Sequence, residues 1–220
     1  MSNFIEEWGD TLKEGLIQSF QMTSISLVIS IIIGIPLGVA VVLTRPGQLL
    51  ANRFTYQALN LLINIVRSVP FIILLFFIIP FTKFIVGTSI GVQGIIVPLV
   101  IYTSPYIARL METALLEVDH GVIEAYKAMG MKNSQIIWHV LLREARPSII
   151  LGLTMATISL IGATAMAGLV GGGGLGDIAY RYGFQQYETV LMYVVVILLI
   201  ILVQIIQTIG NKWSAHLKRD

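Results

Sequence analysis

Long apolar runs separated by short polar connections set the pattern of this chain. Each of five runs is long enough to cross a hydrocarbon core, which takes about 20 helical residues. The runs cover approximately residues 17–43, 59–81, 92–116, 149–170 and 190–209. This pattern predicts an all-α polytopic integral membrane protein, with five transmembrane helices in a single domain that covers residues 1–220.

The composition supports a membrane location and excludes several kinds of site. With 56% hydrophobic and 12% charged residues among 220, the chain has too little polar surface for a soluble domain. It contains no cysteine, and its three histidines (His120, His139 and His216) are scattered. We therefore expect no disulfide, no metal site and no bound cofactor. No nucleophile and base stand together, so we expect no enzymatic activity.

Positive charge predicts which ends of the spans face the cytoplasm. The acidic amino-terminal residues lack the basic segment of a signal peptide, so the first span is expected to stay. Three connections on one side carry most of the cations, namely Arg45, Arg53, Lys127, Lys132, Arg143, Arg146, Lys212, Lys218 and Arg219. Cytoplasmic loops are enriched in Lys and Arg. The amino terminus is therefore predicted outside, and the carboxyl terminus and the loop 120–147 in the cytoplasm.

Polar residues also occur inside two of the predicted spans. In the second span they recur at intervals of three and four residues, so they share one helix face: Gln57, Asn60, Asn64 and Arg67. This stripe either packs on a neighbouring span or lines a wet vestibule. In the third span, Arg109 and Glu112 are three residues apart and are expected to pair for structural reasons.

Small residues dominate the fourth span and the turn that follows it. Gly162, Ala163 and Gly168 are among the residues that let neighbouring backbones approach, which places this helix at the centre of the bundle. The next segment, GGGGLGD, supplies Gly171, Gly172, Gly173, Gly174 and Gly176. No Lys-Ser/Thr pair follows it and no strand precedes it, so it is interpreted as a tight outer turn and not as a phosphate loop. A polar outer loop, 177–188, is expected after it.

The loop 120–147 is the longest polar-rich stretch of the chain. Val122, Ile123, Tyr126 and Met129 are spaced to share one face of a short helix, which Gly130 ends. A second helix is predicted after Asn133 and Ser134, both good N-caps. An ordinary basic cytoplasmic loop would also fit.

The spacing of residues in this loop resembles the EAA loop of ABC importer permeases. Glu124 and Ala125, then Gly130, then Val140 and Leu142 stand at the spacing of that motif. Tyr126 replaces its third small residue, Val140 its isoleucine and Arg143 its final proline. The resemblance implies that Glu124, Ala125, Ala128 and Gly130 dock on an ATPase and couple its nucleotide-driven closure to transport.

Several further segments resemble the permease subunits of bacterial methionine ABC importers. They are TRPGQLLAN, RSVPFIILL, IPFTKFIVGTSIG, IARLMETALLEV, EAYKAMG and GGGGLGDIAYRYG, and together they cover most of the chain. The resemblance implies the type I ABC importer fold and a homodimer in the bacterial cytoplasmic membrane. It also implies two copies of a cytoplasmic ATPase that binds ATP, an external substrate-binding lipoprotein, and no nucleic-acid partner. The expected cargo is L-methionine, with D-methionine as a further substrate.

A homodimer would bring two copies of the fourth span together at its axis. Met166 is the one large residue between Gly162 and Gly168, so two Met166 side chains are expected to seal the pathway near its outer end. The alternative is that Met166 packs against the third or fifth span. Two other functions remain open, a permease for another small amino acid and a secondary transporter that works alone.

Overall fold

The computed structural model describes residues 2–218, without the side chains of Ser2, Asn3 and Ile5. Within these residues the structure is built from helices and turns and has no strand. The helices are α1 (Ser2–Thr44), α2 (Arg53–Ser68), α3 (Phe71–Phe77), α4 (Ile79–Val86), α5 (Gly91–Leu116), α6 (His120–Ala128), α7 (Asn133–Gln135), α8 (Leu142–Glu144), α9 (Arg146–Gly168), α10 (Gly174–Ile178) and α11 (Thr189–Leu217). Two π-helical segments, Ile136–Leu141 and Ala179–Gln185, follow α7 and α10. Arg219, one of the cations of the predicted cytoplasmic tail, lies outside the described residues.

Four of the described helices are long and apolar enough to cross a membrane. They are α1 from Glu6, α5, α9 and α11, and the bent pair α2 and α3 makes a fifth if it is counted as one span. The predicted spans 17–43, 92–116, 149–170 and 190–209 fall on the four long helices. Helix α1 begins well before the predicted span, because its amino-terminal polar turns are helical too.

The second predicted span, 59–81, is not one helix in the structure. Helix α2 ends at Ser68, α3 begins at Phe71, and their axes differ by 101°. Pro70 is the cause, because it has no N–H to continue the ladder and disfavours helical backbone at the residue before it. A further helix, α4, occupies part of the expected connector 80–91, and Pro80 lies in its first turn, where the missing N–H costs nothing.

Packing divides the predicted single domain into two compact units. The first unit comprises the described residues of Met1–Ser30, Val69–Thr103 and Thr157–Ile206. It holds two buried clusters, one around Met22, Leu99 and Leu160 and one around Leu175 and Leu191. The apolar side chains of these clusters therefore come from segments far apart in the sequence.

The second unit comprises the described residues of Ile31–Ser68, Ser104–Ala156 and Gln207–Asp220. Its buried cluster joins Val41, Ile63 and Ala108 from α1, α2 and α5. Helices α1 and α5 touch closely, since a Cβ added to Gly38 would lie 2.5 Å from the Cβ of Met111. Glycine in α1 thus allows the close helix contact that small residues provide in membrane bundles.

A polar network joins α2 to α5 within the second unit. The Arg109 guanidinium donates hydrogen bonds to the side-chain oxygens of Asn60 at 3.1 Å and Asn64 at 2.8 Å, and it pairs with Glu112. The Glu112 side chain is 8% exposed. Asn60, which is half-buried, and Asn64, which is exposed, therefore bond to a neighbouring helix, whereas Gln57 and Arg67, from the same predicted stripe, are exposed and take no part in this network. The expected pairing of Arg109 with Glu112 is present.

We predict that Arg109→Met lowers the melting temperature of the purified protein, because it leaves the buried Glu112 carboxylate without its cation. Breaking a buried pair in this way costs about 3–5 kcal/mol, whereas replacing both partners with apolar residues is often nearly neutral. The double variant Arg109→Met/Glu112→Met should therefore recover most of the loss. Arg53→Met, at an exposed cation, is the matched control. Equal melting temperatures for Arg109→Met and Arg53→Met would contradict a stabilising network.

Candidate functional site

Helix α6 forms the first half of the segment predicted to dock on a partner. The Asp119 side chain caps its start by accepting a hydrogen bond from the Gly121 N–H at 2.7 Å. The helix ends at Ala128, and Gly130 then turns the chain with a φ of +80°. No atom lies within 4 Å of a Cβ built on Gly130. The left-handed backbone, and not crowding, is what favours glycine there.

The residues that were expected to dock on an ATPase lie on the outward face of α6 and in the turn after it. Glu124, Ala125, Ala128 and Gly130 are all exposed, and the two alanines leave the backbone accessible to a partner surface. The Glu124 carboxylate lies 3.3 Å from the His120 Nδ1 atom and is 69% exposed. The segment therefore presents one carboxylate and a flat, small-residue surface.

The opposite face of α6 is less apolar than its spacing predicted. Ile123 is buried, and Val122 and Tyr126 are half-buried, as the helical period requires. The spacing placed Met129 on the same face, but its side chain is 67% exposed, so it does not share the burial of Ile123. Met129 follows the last residue of the helix, where the chain already bends towards Gly130. The 3.6-residue period no longer sets the direction of its side chain.

The second half of the segment is held by its own buried side chains. Helix α7 begins at Asn133 with Lys132 at the N-cap position, so the prediction that Asn133 and Ser134 act as N-caps is wrong. The Lys132 N–H donates to the side-chain oxygen of Gln135 at 3.0 Å, which satisfies the helix start in a different way. Ile136 and Val140 are buried in the π-helical segment that follows.

Trp138 was not identified from the sequence as part of this surface. It is 70% exposed in the π-helical segment, although its neighbours Ile136 and Val140 are buried. A tryptophan within a polar loop is the signal that was available, since exposed aromatic side chains are enriched at protein interfaces. Met129 and Trp138 thus add two exposed apolar side chains to the candidate docking segment.

The four residues predicted at the gate fall on two different faces of α9. Met166 is 50% exposed, and a Cβ added to Gly162, one turn earlier, would meet no atom within 4 Å. Ala163 and Gly168 are buried instead. A Cβ on Gly168 would lie 2.2 Å from the backbone nitrogen of Asp177. Met166 and Gly162 therefore form the open face, and Ala163 and Gly168 serve packing within the first unit.

The glycine turn after α9 is tied to α1 by side-chain hydrogen bonds. The Gly174 N–H donates to the side-chain oxygen of Gln18 at 2.7 Å, and the Leu175 N–H donates to the Ser19 hydroxyl at 2.8 Å. Three of the glycines that form this turn have positive φ angles, Gly171 at +79°, Gly173 at +79° and Gly174 at +81°. The turn is therefore fixed in position.

The remaining two glycines of the predicted turn lie close to α9. A Cβ on Gly172 would lie 2.7 Å from the Ala167 carbonyl oxygen, and one on Gly176 would lie 2.1 Å from that of Ala165. Gly174 and Gly176 belong to the short helix α10, and residues 179–185 are π-helical. Most of the expected polar outer loop, 177–188, is thus helical, because the glycine turn brings its start against α9.

The comparisons with known proteins agree along the whole chain. The model of the family described as "Binding-protein-dependent transport system inner membrane component" matches residues 30–214. The probable D-methionine transport system permease protein MetI of Vibrio cholerae is 48% identical over 213 residues, which are 95% of each chain. The methionine import system permease protein MetP of Bacillus subtilis is 46% identical over 169 residues, 77% of this chain and 76% of the relative.

Solved structures of ABC transporters also match this chain. A chain of the inward-facing MetNI methionine ABC transporter superposes with a TM-score of 0.94 at 46% identity, covering 96% of this chain and 98% of that chain. An amino acid ABC transporter superposes with a TM-score of 0.80 at 16% identity, covering 96% of each chain. The second match shows a shared fold.

Proposed function

The chain belongs to the family of binding-protein-dependent transport system inner membrane components, and we propose that it carries methionine as the permease of an ABC importer. The observation that carries this proposal is the match to permeases named for methionine, at 48% identity over 95% of this chain and 46% identity over 77% of it. The superposition on a methionine ABC transporter supports the same substrate. D-methionine is included because several relatives carry it in their names.

The proposed assembly is a homodimer of this chain with two copies of a cytoplasmic ATPase and an external substrate-binding lipoprotein. The ATPase would bind ATP, so this chain would need no cofactor of its own and would not be an enzyme. The superposed chain comes from a methionine ABC transporter whose name, MetNI, covers another component beside the permease. This supports an ATPase partner. The family description names a binding protein on which transport depends.

The proposed topology places the amino terminus outside and α6, α7 and the carboxyl terminus in the cytoplasm. Its support is the distribution of cations, since Lys127, Lys132 and Arg143 lie in the connection between α5 and α9, and Arg146 is the first residue of α9. The family description names an inner membrane component, which agrees with a multi-pass protein of the bacterial plasma membrane. The candidate docking segment would then face the compartment that holds ATP.

Coupling is proposed to run through the exposed face of α6. Glu124 offers a carboxylate, Ala125 and Ala128 allow close contact, and Gly130 sets the direction in which the chain leaves the helix. Ile136 and Val140 anchor the far end of the segment in the second unit. A partner that pushes on α6 would therefore move an anchored element and not a loose loop.

We predict that proteoliposomes containing this chain, its ATPase and its binding protein import labelled L-methionine only when ATP and the binding protein are both present. Omitting each component in turn is the control. Uptake by this chain without the ATPase would favour a secondary transporter that works alone, and ATP-driven efflux would exclude an importer. If another small amino acid competes fully with methionine while D-methionine does not, the substrate assignment fails.

We predict that Gly130→Val loses most of the ATP hydrolysis stimulated by the binding protein, together with uptake. A β-branched residue is strained at a φ of +80°, where a side chain costs about 1–2 kcal/mol. Gly130→Asn is the matched control, because asparagine tolerates this backbone conformation and no neighbour blocks its Cβ. If the valine and asparagine variants hydrolyse ATP and transport equally well, Gly130 does not set the coupling geometry.

We predict that Met166→Ala raises passive leak through the assembled transporter or uncouples ATP hydrolysis from uptake. The proposed reason is that two exposed Met166 side chains seal the pathway beside the open Gly162 position at the dimer axis. Met155→Ala, at another exposed methionine of α9, is the control. A Met166→Ala transporter as tight and as well coupled as the control would assign Met166 to packing.

A further inference from the structure

A polar cavity of about 600 Å³ lies in the second unit, beside the start of α6. Its walls come from the end of α5, the junction of α8 and α9, and the end of α11. These three long helices are candidate membrane spans, and all three contribute an end to the cavity. The ends of spanning helices lie at the headgroup level of a bilayer. The cavity is therefore at a membrane surface, whichever side that surface faces.

The lining carries charges of both signs. Arg143, Arg146 and Lys218 supply three cations, and Glu117, Asp119 and Glu144 supply three acids. Within residues 2–218, no ion pair joins any of these three cations to an acid. The charges thus stand around a shared space without neutralising one another in pairs.

Two of the acids are already held by uncharged donors. The Ser148 hydroxyl donates to Glu117 Oε2 at 2.5 Å, and the Gly121 N–H donates to Asp119 Oδ1 at 2.7 Å. These bonds fix the two carboxylates in place without neutralising their negative charge. The cations keep their N–H donors for a ligand oxygen. A ligand that satisfies this lining must itself carry both an anionic oxygen group and a cationic donor.

Apolar residues complete the wall. Ala114, Val118, Val122 and Leu217 line the same cavity beside the charged groups. A volume of this size is within the range of sites that take small-molecule ligands. Charged groups beside an apolar wall, at the ends of spanning helices, suit the polar head and the first carbons of a membrane lipid.

We propose that this cavity binds a zwitterionic phospholipid headgroup of the phosphatidylethanolamine class. Arg143, Arg146 and Lys218 would hold the phosphate, and Glu117 and Glu144 would accept hydrogen bonds from the primary ammonium. Asp119 caps α6 and Val122 belongs to it, so a bound headgroup would also brace the coupling helix against the ends of α5, α9 and α11. Only this last consequence rests on the proposed coupling function.

The test measures lipid retention by the purified, assembled transporter. The delipidated complex is incubated with equal amounts of phosphatidylethanolamine and phosphatidylcholine of identical acyl chains, and the retained lipids are counted by mass spectrometry. We expect a preference of about tenfold for phosphatidylethanolamine, because the quaternary ammonium of the competitor cannot donate a hydrogen bond. The variant Arg143→Gln/Arg146→Gln/Lys218→Gln should lose this preference. The control Arg45→Gln/Arg53→Gln, at cations outside the cavity, should keep it.

A milder variant keeps the test informative if the triple variant does not assemble. Glu144→Gln removes one acid from an exposed position and should shift the preference towards the anionic lipid phosphatidylglycerol. No preference in the unmodified complex would overturn the proposal, as would a preference unchanged by both cavity variants. The proposal also fails if free methionine displaces the lipid while soluble phosphoethanolamine does not, since the cavity would then be an amino-acid site. Lipid retention does not require transport, so this outcome is independent of the uptake measurement.

Discussion

A buried backbone N–H or C=O without a partner is so costly that irregular backbone survives only where another group satisfies it. The turn after α9 depends on this constraint. Gly173 and Gly174 leave helical geometry, and the N–H groups of Gly174 and Leu175 are taken up by Gln18 and Ser19 of α1. The Gly171 carbonyl accepts from the Gly91 N–H at 2.9 Å, which ties the start of α5 to the same turn. One glycine turn thus connects three long helices of the first unit.

The same constraint acts on side chains in the second unit. Burying either the Arg109 or the Glu112 charge alone in an apolar bundle would cost a large amount of free energy. Asn60 and Asn64 accept hydrogen bonds from the Arg109 Nη2 group, so α2 is held against α5 by polar groups in addition to the buried cluster that contains Ile63 and Ala108. Apolar packing alone allows helices to slide, whereas hydrogen bonds fix one register. The network therefore positions α2 before the break at Pro70.

Hydropathy and small-residue patterns predicted the spans and the glycine turn, because both depend on local composition. Which residues of a helix are buried depends on its neighbours, so the sequence predicted this less well. Small residues on α9 indicated close packing, but only the structure separates the exposed pair Gly162 and Met166 from the buried Ala163 and Gly168. The bend at Pro70 shows the same limit. A proline predicts that a helix ends or bends near it, but it does not predict the angle, which is 101° here.

The candidate docking segment has buried side chains on its inner face and exposed side chains on its outer face. Only part of this arrangement could be predicted from the sequence. Resemblance to the EAA loop indicated Glu124, Ala125, Ala128 and Gly130, which are exposed in the structure. It did not identify Trp138, because that residue lies between the matched positions of the motif; its indole is exposed while Ile136, Val140 and Leu141 remain buried. Buried side chains beneath an exposed carboxylate and an exposed indole suit the proposed coupling role, in which the segment would receive a push from a partner and pass it on.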